Sequence, residues 1–272
     1  MSHYTGPILP SESLHQIDTP GFDCTDFRQP AHLSIPRHSH PSPILLFVLG
    51  GCLIEHYTRR SLEYSPATVV FRPAGELHQH DYGKAGTRCL AVAIQNEILQ
   101  ESPKLRRLSV NLTHLHDASM FALGLKILRE MHGHESVAGV SIEELLYKAL
   151  AYLSRLKAKE KGRIAPHWLS RARDLIHDCF LEELSLSQIA ASVGVHPIYL
   201  AGTFRKYYGE TVGNTIRKLR FHYALAQLTK ADKRLTQLAL DSGFFDHSHF
   251  TNFIKRQTGM TPSQLRKMIH QE

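Results

Sequence analysis

The chain reads as an α+β protein in three consecutive parts: a small β-barrel or sandwich, a helical segment, and an all-α domain built around two helix-turn-helix units. Three observations predict this. Short apolar and β-branched runs separated by turn residues fill residues 31–100. The apolar period then changes to that of amphipathic helices. The last hundred or so residues carry one short pattern twice.

The chain has 272 residues, and a prior of roughly one domain per 150 residues gives about two domains. A hydrophobic fraction of 42% and a charged fraction of 21% are ordinary globular values, which exclude a collagen-like chain and a small disulfide scaffold. The net charge is +7, of which +5 falls in residues 164–272. That basic C-terminal part permits a polyanionic partner without demonstrating one. Nineteen histidines would add positive charge near pH 6. The four cysteines, Cys24, Cys52, Cys89 and Cys179, form no CxxC pair, so a reduced, cytoplasmic protein is expected. The longest apolar run, Ile44 to Ile54, is broken by Gly50 and Gly51. It falls short of the ~20 residues that span a bilayer, so no membrane partner is expected. The start of the chain lacks the basic-then-apolar pattern of a signal peptide.

Residues 1–30 mix Pro, Ser, Gly and Asp and are read as an arm with one short strand around Phe22 to Phe27. Residues 31–105 hold the strands. Ile44–Leu49 is closed by Gly50-Gly51, Leu53–Thr58 alternates loosely, Ala67–Phe71 is closed by Pro73, and Arg88–Ile94 follows. Short strands at this spacing predict a small barrel or sandwich. Residues 106–160 form the helical segment. Leu115, Met120, Leu123, Ile127, Leu128 and Met131 make one apolar face, and Ile142, Leu145, Leu146, Ala149, Leu150 and Leu153 another. Ser141 with Glu144 is a capping box for the second helix, and Gly133 to Gly139 is the turn between the two. The charged stretch Lys157–Pro166 reads as a linker. From residue 165 to 272 the pattern is helical again, starting with Trp168–Phe180.

That last part repeats itself. Ile189-Ala190 to Gly194 aligns with Leu238-Ala239 to Gly243 at an offset of 49, and Phe204–Gly209 aligns with Ile254–Gly259 at an offset of 50. Two copies are too few for a solenoid and fit a helix-turn-helix used twice. A small residue, Ala190 or Ala239, lets two helices cross. A glycine four residues on, Gly194 or Gly243, supplies the positive φ of the turn. Leu200 with Phe204, and Phe250 with Ile254, close each small core. Ser185 with Gln188 caps the first unit, Asp246 caps the last helix of the second, and a helix over Thr211–Leu228 spaces the two.

On Gly243-Phe-Phe-Asp-His-Ser-His-Phe-Thr-Asn-Phe-Ile-Lys-Arg-Gln-Thr-Gly-Met-Thr-Pro262 and on Ile189-Ala-Ala-Ser-Val-Gly-Val-His-Pro-Ile-Tyr-Leu200, residues 167–269 resemble the DNA-binding domain of the AraC/XylS family of transcription regulators. The resemblance implies seven helices, two of them recognition helices in successive major grooves about one DNA turn apart. Double-stranded DNA is the implied partner. Carried over by position, the base-facing candidates are Ile198, Ala201 and Gly202 on the first recognition helix and His247, Ser248, Thr251 and Asn252 on the second. Arg205, Lys206, Lys255 and Arg256 would serve phosphates. Gly202 stands where the family often has Arg or another long polar residue, so bidentate guanine reading is absent there.

Residues 31–100 resemble a cupin barrel more faintly. His38-Ser-His40 matches the His-x-His opening, and Pro73-Ala-Gly75-Glu-Leu-His78 matches Pro-x-Gly-x-x-His. In metal-dependent cupins these histidines and a glutamate hold a divalent ion. Here Ile44 and Leu45 occupy the region of that glutamate, so no resident cofactor is expected, although three histidines can hold a metal. Three roles stay open for His38, His40 and His78: metal ligands, polar lining for an organic effector, or structural residues. Arg37 is a further effector candidate, Arg72 is read as surface or ion-paired, and His80 as lying in an exposed loop. The resemblance implies a homodimer formed through the 106–160 helices, with RNA polymerase as a further candidate partner. The sequence thus predicts a transcription regulator, not an enzyme, controlled by a small-molecule effector; the competing reading is a metal-dependent cupin enzyme fused to a DNA-targeting domain.

Overall fold

The computed structural model describes residues 4–5, 12–108, 112–133, 141–159, 165–228 and 233–270. The chain divides into two compact units, residues 1–160 with 257–259 and 265–272, and residues 161–256 with 260–264.

The first unit is a mixed α/β structure centred on one sheet, antiparallel except where β1 runs parallel to β4. Its strands are β1 (Tyr4–Thr5), β2 (Glu12–Thr19), β3 (Phe22–Gln29), β4 (Ser34–Ser39), β5 (Ile44–His56), β6 (Ser61–Tyr64), β7 (Thr68–Arg72), β8 (His78–Ile94) and β9 (Thr113–His116). Two long strands organise it. β5 and β8 pair from Ile44↔Ala93 to His56↔Gln79, with register shifts on either side of Gly50 and Gly51. Gly51 has a φ of +78°, and a Cβ there would run into the Gly86 carbonyl, so the bend requires glycine. The sheet forks at this bend. The first half of β5 pairs with β7 and the second half with β6. Likewise β4 pairs with the start of β8 and β3 with its end.

The two leaves enclose a core of Phe27, Ile44, Leu46, Val48, Leu53, Tyr64, Val70, Tyr82, Cys89 and Ala91. The strand path runs from β1 to β9 and no pairing among the described residues closes it. The expected barrel is therefore an open, folded sheet. The other face of β5, Leu45, Phe47 and Leu49, is buried as well. It is covered in part by helix α3 (Ala118–Met131), whose Gly124 lies against the Phe47 ring. Burial on both faces is why Ile44–Leu49 is apolar without alternation.

Two expectations are corrected here, and a third gains no support. Residues 12–29 are not a loose arm: β2 and β3 form a hairpin over Pro20-Gly21, and β3 extends β8. Asp26 of β3 is buried and takes bonds from Arg88 (2.7 and 3.1 Å) and His132 (2.8 Å). Leu115 lies in β9, not in a helix. The helix starts after Asp117, whose carboxylate accepts from the amides of Ser119 and Met120. Of the apolar positions in the segment expected to dimerise, Leu145, Leu146, Ala149, Leu150 and Leu153 of α4 (Ile142–Lys159) are each at most 5% exposed, and Leu123 and Ile142 are half-buried. α1 (Asn96–Gln100) and α2 (Pro103–Arg106), numbered before α3 in chain order, are short. Of the expected turn and linker, residues 134–140 and 160–164 lie outside the described residues.

The second unit is helical: α5 (His167–Cys179), α6 (Leu186–Ser192), α7 (Pro197–Tyr208), α8 (Val212–Leu228), α9 (Leu235–Asp241) and α10 (His247–Thr258), with α11 (Pro262–His270) completing the described chain. The four cysteines are free, and no described helix is long and apolar enough to cross a membrane.

Gly124→Ala tests the packing of α3 on the sheet. Alanine is better than glycine in a helix interior by about 1 kcal/mol. The new Cβ, however, would sit 2.5 Å from the Phe47 ring, and overpacking costs about 1–3 kcal/mol. A net loss of about 1 kcal/mol in urea unfolding is expected. A stabilised variant would show that Phe47 gives way.

Candidate functional site

The two helix-turn-helix units are built alike. In the first, Ala190 is fully buried, Gly194 has a φ of +71°, and the Val195 amide donates to the Ala190 carbonyl at 3.0 Å. In the second, Ala239 is fully buried, Gly243 has a φ of +74°, and the Phe244 amide donates to the Ala239 carbonyl at 3.1 Å. The capping box of Ser185 and Gln188 is formed, and Asp246 accepts from the His249 amide at 2.7 Å. Leu200, Phe204, Phe250 and Ile254 are buried. A residue the sequence reading passed over holds the units together. Arg220 of α8 donates to the carbonyls of Phe180 (2.7 Å), Glu182 (2.9 Å) and Gly243 (2.5 Å).

The DNA candidates sit mainly on exposed faces. On α7, Ile198 is 76% exposed, Gly202 is exposed and Ala201 half-buried, with Arg205 and Lys206 exposed in the last turn. On α10, His247, Ser248, Asn252, Lys255 and Arg256 are exposed. Thr251 is half-buried, and its hydroxyl is out of contact with solvent and without a hydrogen-bond partner. It is therefore not presented as a base-reading hydroxyl. Phe245, missed by the sequence reading, is 88% exposed just before α10 while its neighbour Phe244 is buried at 6%. The doubled phenylalanine was the signal: with Phe244 turned inward onto Phe250 and Phe253, its neighbour faces out.

In the first unit the structure brings His38, His40 and His78 together. His38 ends β4 beside its ladder partner His78 at the start of β8. Ring centroids lie 4.3 to 5.3 Å apart, and one nitrogen from each ring falls within 4.8 Å of the other two. The Pro73–His78 turn is held onto this place by the Gly75 amide, which donates to the His40 carbonyl at 2.9 Å. His38 Nδ1 lies 2.8 Å from the Pro36 carbonyl, and His78 Nδ1 2.8 Å from the Glu76 carbonyl. A carbonyl only accepts, so Nδ1 carries the proton in both rings and Nε2 keeps its lone pair. His78 Nε2 is buried with no hydrogen-bond partner.

A buried carboxylate lies near the three histidines but outside their group. Glu55, fully buried on β5, bonds to Arg72 and to the Tyr57 hydroxyl. His80, expected in an exposed loop, is buried with Nε2 3.1 Å from Glu55. Arg72 is a buried ion-pair partner, not a surface residue. Arg37 is not part of the cluster: its side chain is exposed and donates to Thr58 Oγ1 at 2.6 Å. Strand alternation held the missed signal. His78, His80 and Tyr82 share one face of β8, as Leu53 and Glu55 share one face of β5.

Burial alone would raise the Glu55 carboxyl, but Arg72 and His80 outweigh it and hold the group well below the usual carboxylate range. Burial, then the Arg72 charge, pushes the His78 imidazole far down; burial also lowers His38 and His80. The histidines are thus neutral, the form that ligates metals. Next to them lies a cavity of about 20 Å³, with His38, His40, Arg72, His80 and Tyr82 on its polar side. His38 and His78, each with Nδ1 on a carbonyl, and His40 beside them are a donor set of the kind that can hold a divalent ion such as zinc.

The Glu55–Arg72 pair has a direct test. Glu55→Gln leaves the Arg72 charge buried without its counterion, and breaking such a pair costs about 3–5 kcal/mol. Urea unfolding should show that loss, and Glu55→Gln with Arg72→Met should recover most of it. Equal instability of the double variant would mean that packing, not charge, dominates.

Residues 189–268 match the model of a helix-turn-helix domain family. The bifunctional transcriptional activator/DNA repair enzyme AdaA of Bacillus subtilis (strain 168) is 29% identical over 105 residues, 39% of this chain and 50% of that protein. The melibiose operon regulatory protein of Escherichia coli (strain K12) is 27% identical over 118 residues, 43% of this chain and 39% of that protein. A solved transcriptional regulator from Chromobacterium violaceum, described by its AraC-type DNA-binding domain, is 29% identical over 38% of this chain and 93% of that one, with a TM-score of 0.36. The matched region spans half or less of the length of these two curated relatives. With two helix-turn-helix units on one spacer helix and this match, residues 189–268 are a helix-turn-helix domain similar to those of these transcription regulators.

Proposed function

We propose that the protein is a sequence-specific transcription regulator that binds duplex DNA through α7 and α10 and takes a small-molecule effector in its N-terminal sheet unit. The observation that carries this is the paired presentation of two exposed helix faces, each with a basic pair in its last turn, on a common spacer. Both curated relatives are named as regulators, AdaA as a repair enzyme as well, which favours regulation over a cupin enzyme. We read the folded sheet as a cupin-like effector unit, occupying about residues 31–105, and the DNA-binding unit as residues 165–272. A homodimer and a cytoplasmic location belong to the same reading. The dimer draws no support from an exposed apolar face, since none of the exposed large apolar residues among those described lies on α3 or α4.

The two recognition helices divide the work. Ile198, Ala201 and Gly202 offer no side-chain hydrogen bond to a base; Ile198 and Phe245 offer apolar contact to a thymine methyl. His247, Ser248 and Asn252 donate and accept, and Asn pairs two-fold with adenine. Polar reading therefore falls to α10, and shape and methyl reading to α7.

Selection of bound fragments from random duplex DNA by the full chain tests this. One enriched sequence with two contacted segments about one helical turn apart is expected; sequence-independent recovery would refute it. On the selected site, Asn252→Ala should relax preference at one base pair by about 1–3 kcal/mol, and Lys255→Ala should weaken all sequences alike and lower the salt slope by about 1. Strong guanine preference under α7 would overturn the division of work.

A further inference from the structure

We propose that α7 recognises a C5-methylated pyrimidine in the major groove, thymine or 5-methylcytosine, with Ile198 touching the methyl group and Gly202 letting the helix backbone close on the base edge. The proposal rests on the DNA-binding reading and names what its first recognition helix reads.

The glycine comes first. Gly202 lies in the middle of α7. Glycine is the poorest helix former after proline, so its presence there needs a reason. Conformation supplies none. Gly209, at the end of the same helix, has a φ of +75°, but Gly202 keeps the helical backbone. Packing supplies none either. A Cβ on Gly202 would meet no atom within 4 Å, whereas one on Gly124 of α3 would run into the Phe47 ring. What remains is the other use of glycine, the close approach of a backbone to a ligand.

Its place on the helix comes second. Ile198 and Gly202 are four residues apart, and Arg205 and Lys206 follow three and four residues later, so they share one exposed face. Helical side chains lean toward the N-terminus. The side chain missing at position 202 is therefore the one that would cover the surface between Gly202 and Ile198. The face has an apolar side chain at one end, 76% exposed, bare backbone in the middle and two cations in the last turn. Where Phe204 aligns with Ile254, Gly202 aligns with Asn252 of the second helix-turn-helix unit. The same scaffold thus accepts a side chain at this position.

Chemistry selects the ligand. Inside a helix the backbone N–H and C=O groups are taken up by the i→i−4 ladder. The bared surface presents C–H groups, and Ile198 adds only methyl and methylene groups. Neither can replace the water that the base-edge donors and acceptors of guanine, adenine or cytosine would lose. The apolar group of the major groove is the C5-methyl of thymine, and 5-methylcytosine carries the same group on the same carbon. Tyr199, 60% exposed, borders this face with its ring against that of Trp168, centroids 5.5 Å apart. Its hydroxyl is not needed for methyl reading.

The test uses the full chain and the duplex site selected from random DNA. The segment under α7 is the one other than that whose preference Asn252→Ala relaxes. Replacing its thymines one at a time by deoxyuridine removes the methyl group and keeps the pairing. At one position binding should weaken about fourfold, the worth of one buried methyl group. Cytosine at that position should weaken binding as well, and 5-methylcytosine should restore most of the loss. Gly202→Ala should keep its helical circular dichroism and bind the site about tenfold more weakly, since a misfit of one methyl group at a close contact is of that order. In Ile198→Ala the difference between thymine and deoxyuridine should vanish, and in Tyr199→Phe it should persist. The proposal is overturned if no thymine methyl under α7 matters, if 5-methylcytosine restores nothing, if Gly202→Ala binds as well as the native chain, or if Ile198→Ala keeps the preference. Failure to select any site sinks the DNA-binding reading itself. A selected site without methyl dependence sinks this proposal alone.

Discussion

The N-terminal unit depends on one buried ion pair at a bend. In the ladder Arg72 lies opposite Ile44, at the start of β5, yet its guanidinium bonds to Glu55, eleven residues further along the same strand. An extended strand of that length covers about 36 Å, far beyond the reach of an arginine. The two ends of β5 meet only because the strand folds back through Gly50 and Gly51. Both charges are out of water, where each is costly unless paired, so the pair and the bend enforce each other. The inner core, the cavity and the histidine cluster all lie inside the fold that this closure creates.

The parts that were legible in the sequence are those set by local rules. The helix-turn-helix repeat was readable because a buried alanine, a glycine of positive φ and a capping residue must sit at fixed offsets, whatever surrounds them. His38, His40 and His78 could be placed together because the Pro-x-Gly-x-x-His turn and the His-x-His alternation are local as well. The β2–β3 hairpin was missed for the opposite reason. A strand around Phe22 to Phe27 was legible from its apolar residues, but β2 is polar and exposed to half-exposed, and the hairpin is held as structure only because β8 offers β3 an edge. Glu55 and His80 were missed because their environment is a product of the bend. Glu55 and Arg72 are far apart in sequence, and alternation along β8 acquires its meaning only once the leaves have closed.

The helix-turn-helix units show how a repeated scaffold can carry unequal chemistry. The turn bonds, the buried alanine and the glycine are the same in both, so the backbone presentation of α7 and α10 is the same. What differs is the side-chain inventory at the candidate positions: apolar or absent at Ile198, Ala201 and Gly202, and rich in donors and acceptors at His247, Ser248 and Asn252. Such inequality has no bearing on folding, because the exposed positions that differ make no core contact. The scaffold is constrained by packing while its outward face is free to vary.

Arg220 gives that scaffold a property beyond stability. One guanidinium is shared among carbonyls at the C-terminal end of α5, in the segment that follows it, and in the turn of the second unit. Three bonds from a planar group fix direction as well as distance. Under the proposed reading of α7 and α10 as DNA-contacting helices, their separation and relative rotation are thereby set by the protein, not adjusted on the duplex. A molecule of this kind behaves as a ruler with helical phase. On a double helix, segments displaced by half a turn face opposite sides, so the two contacted segments must keep their spacing even where their bases change. Any mismatch in that spacing has to be absorbed by twisting the DNA, and the sequence between the contacts then matters through its stiffness alone.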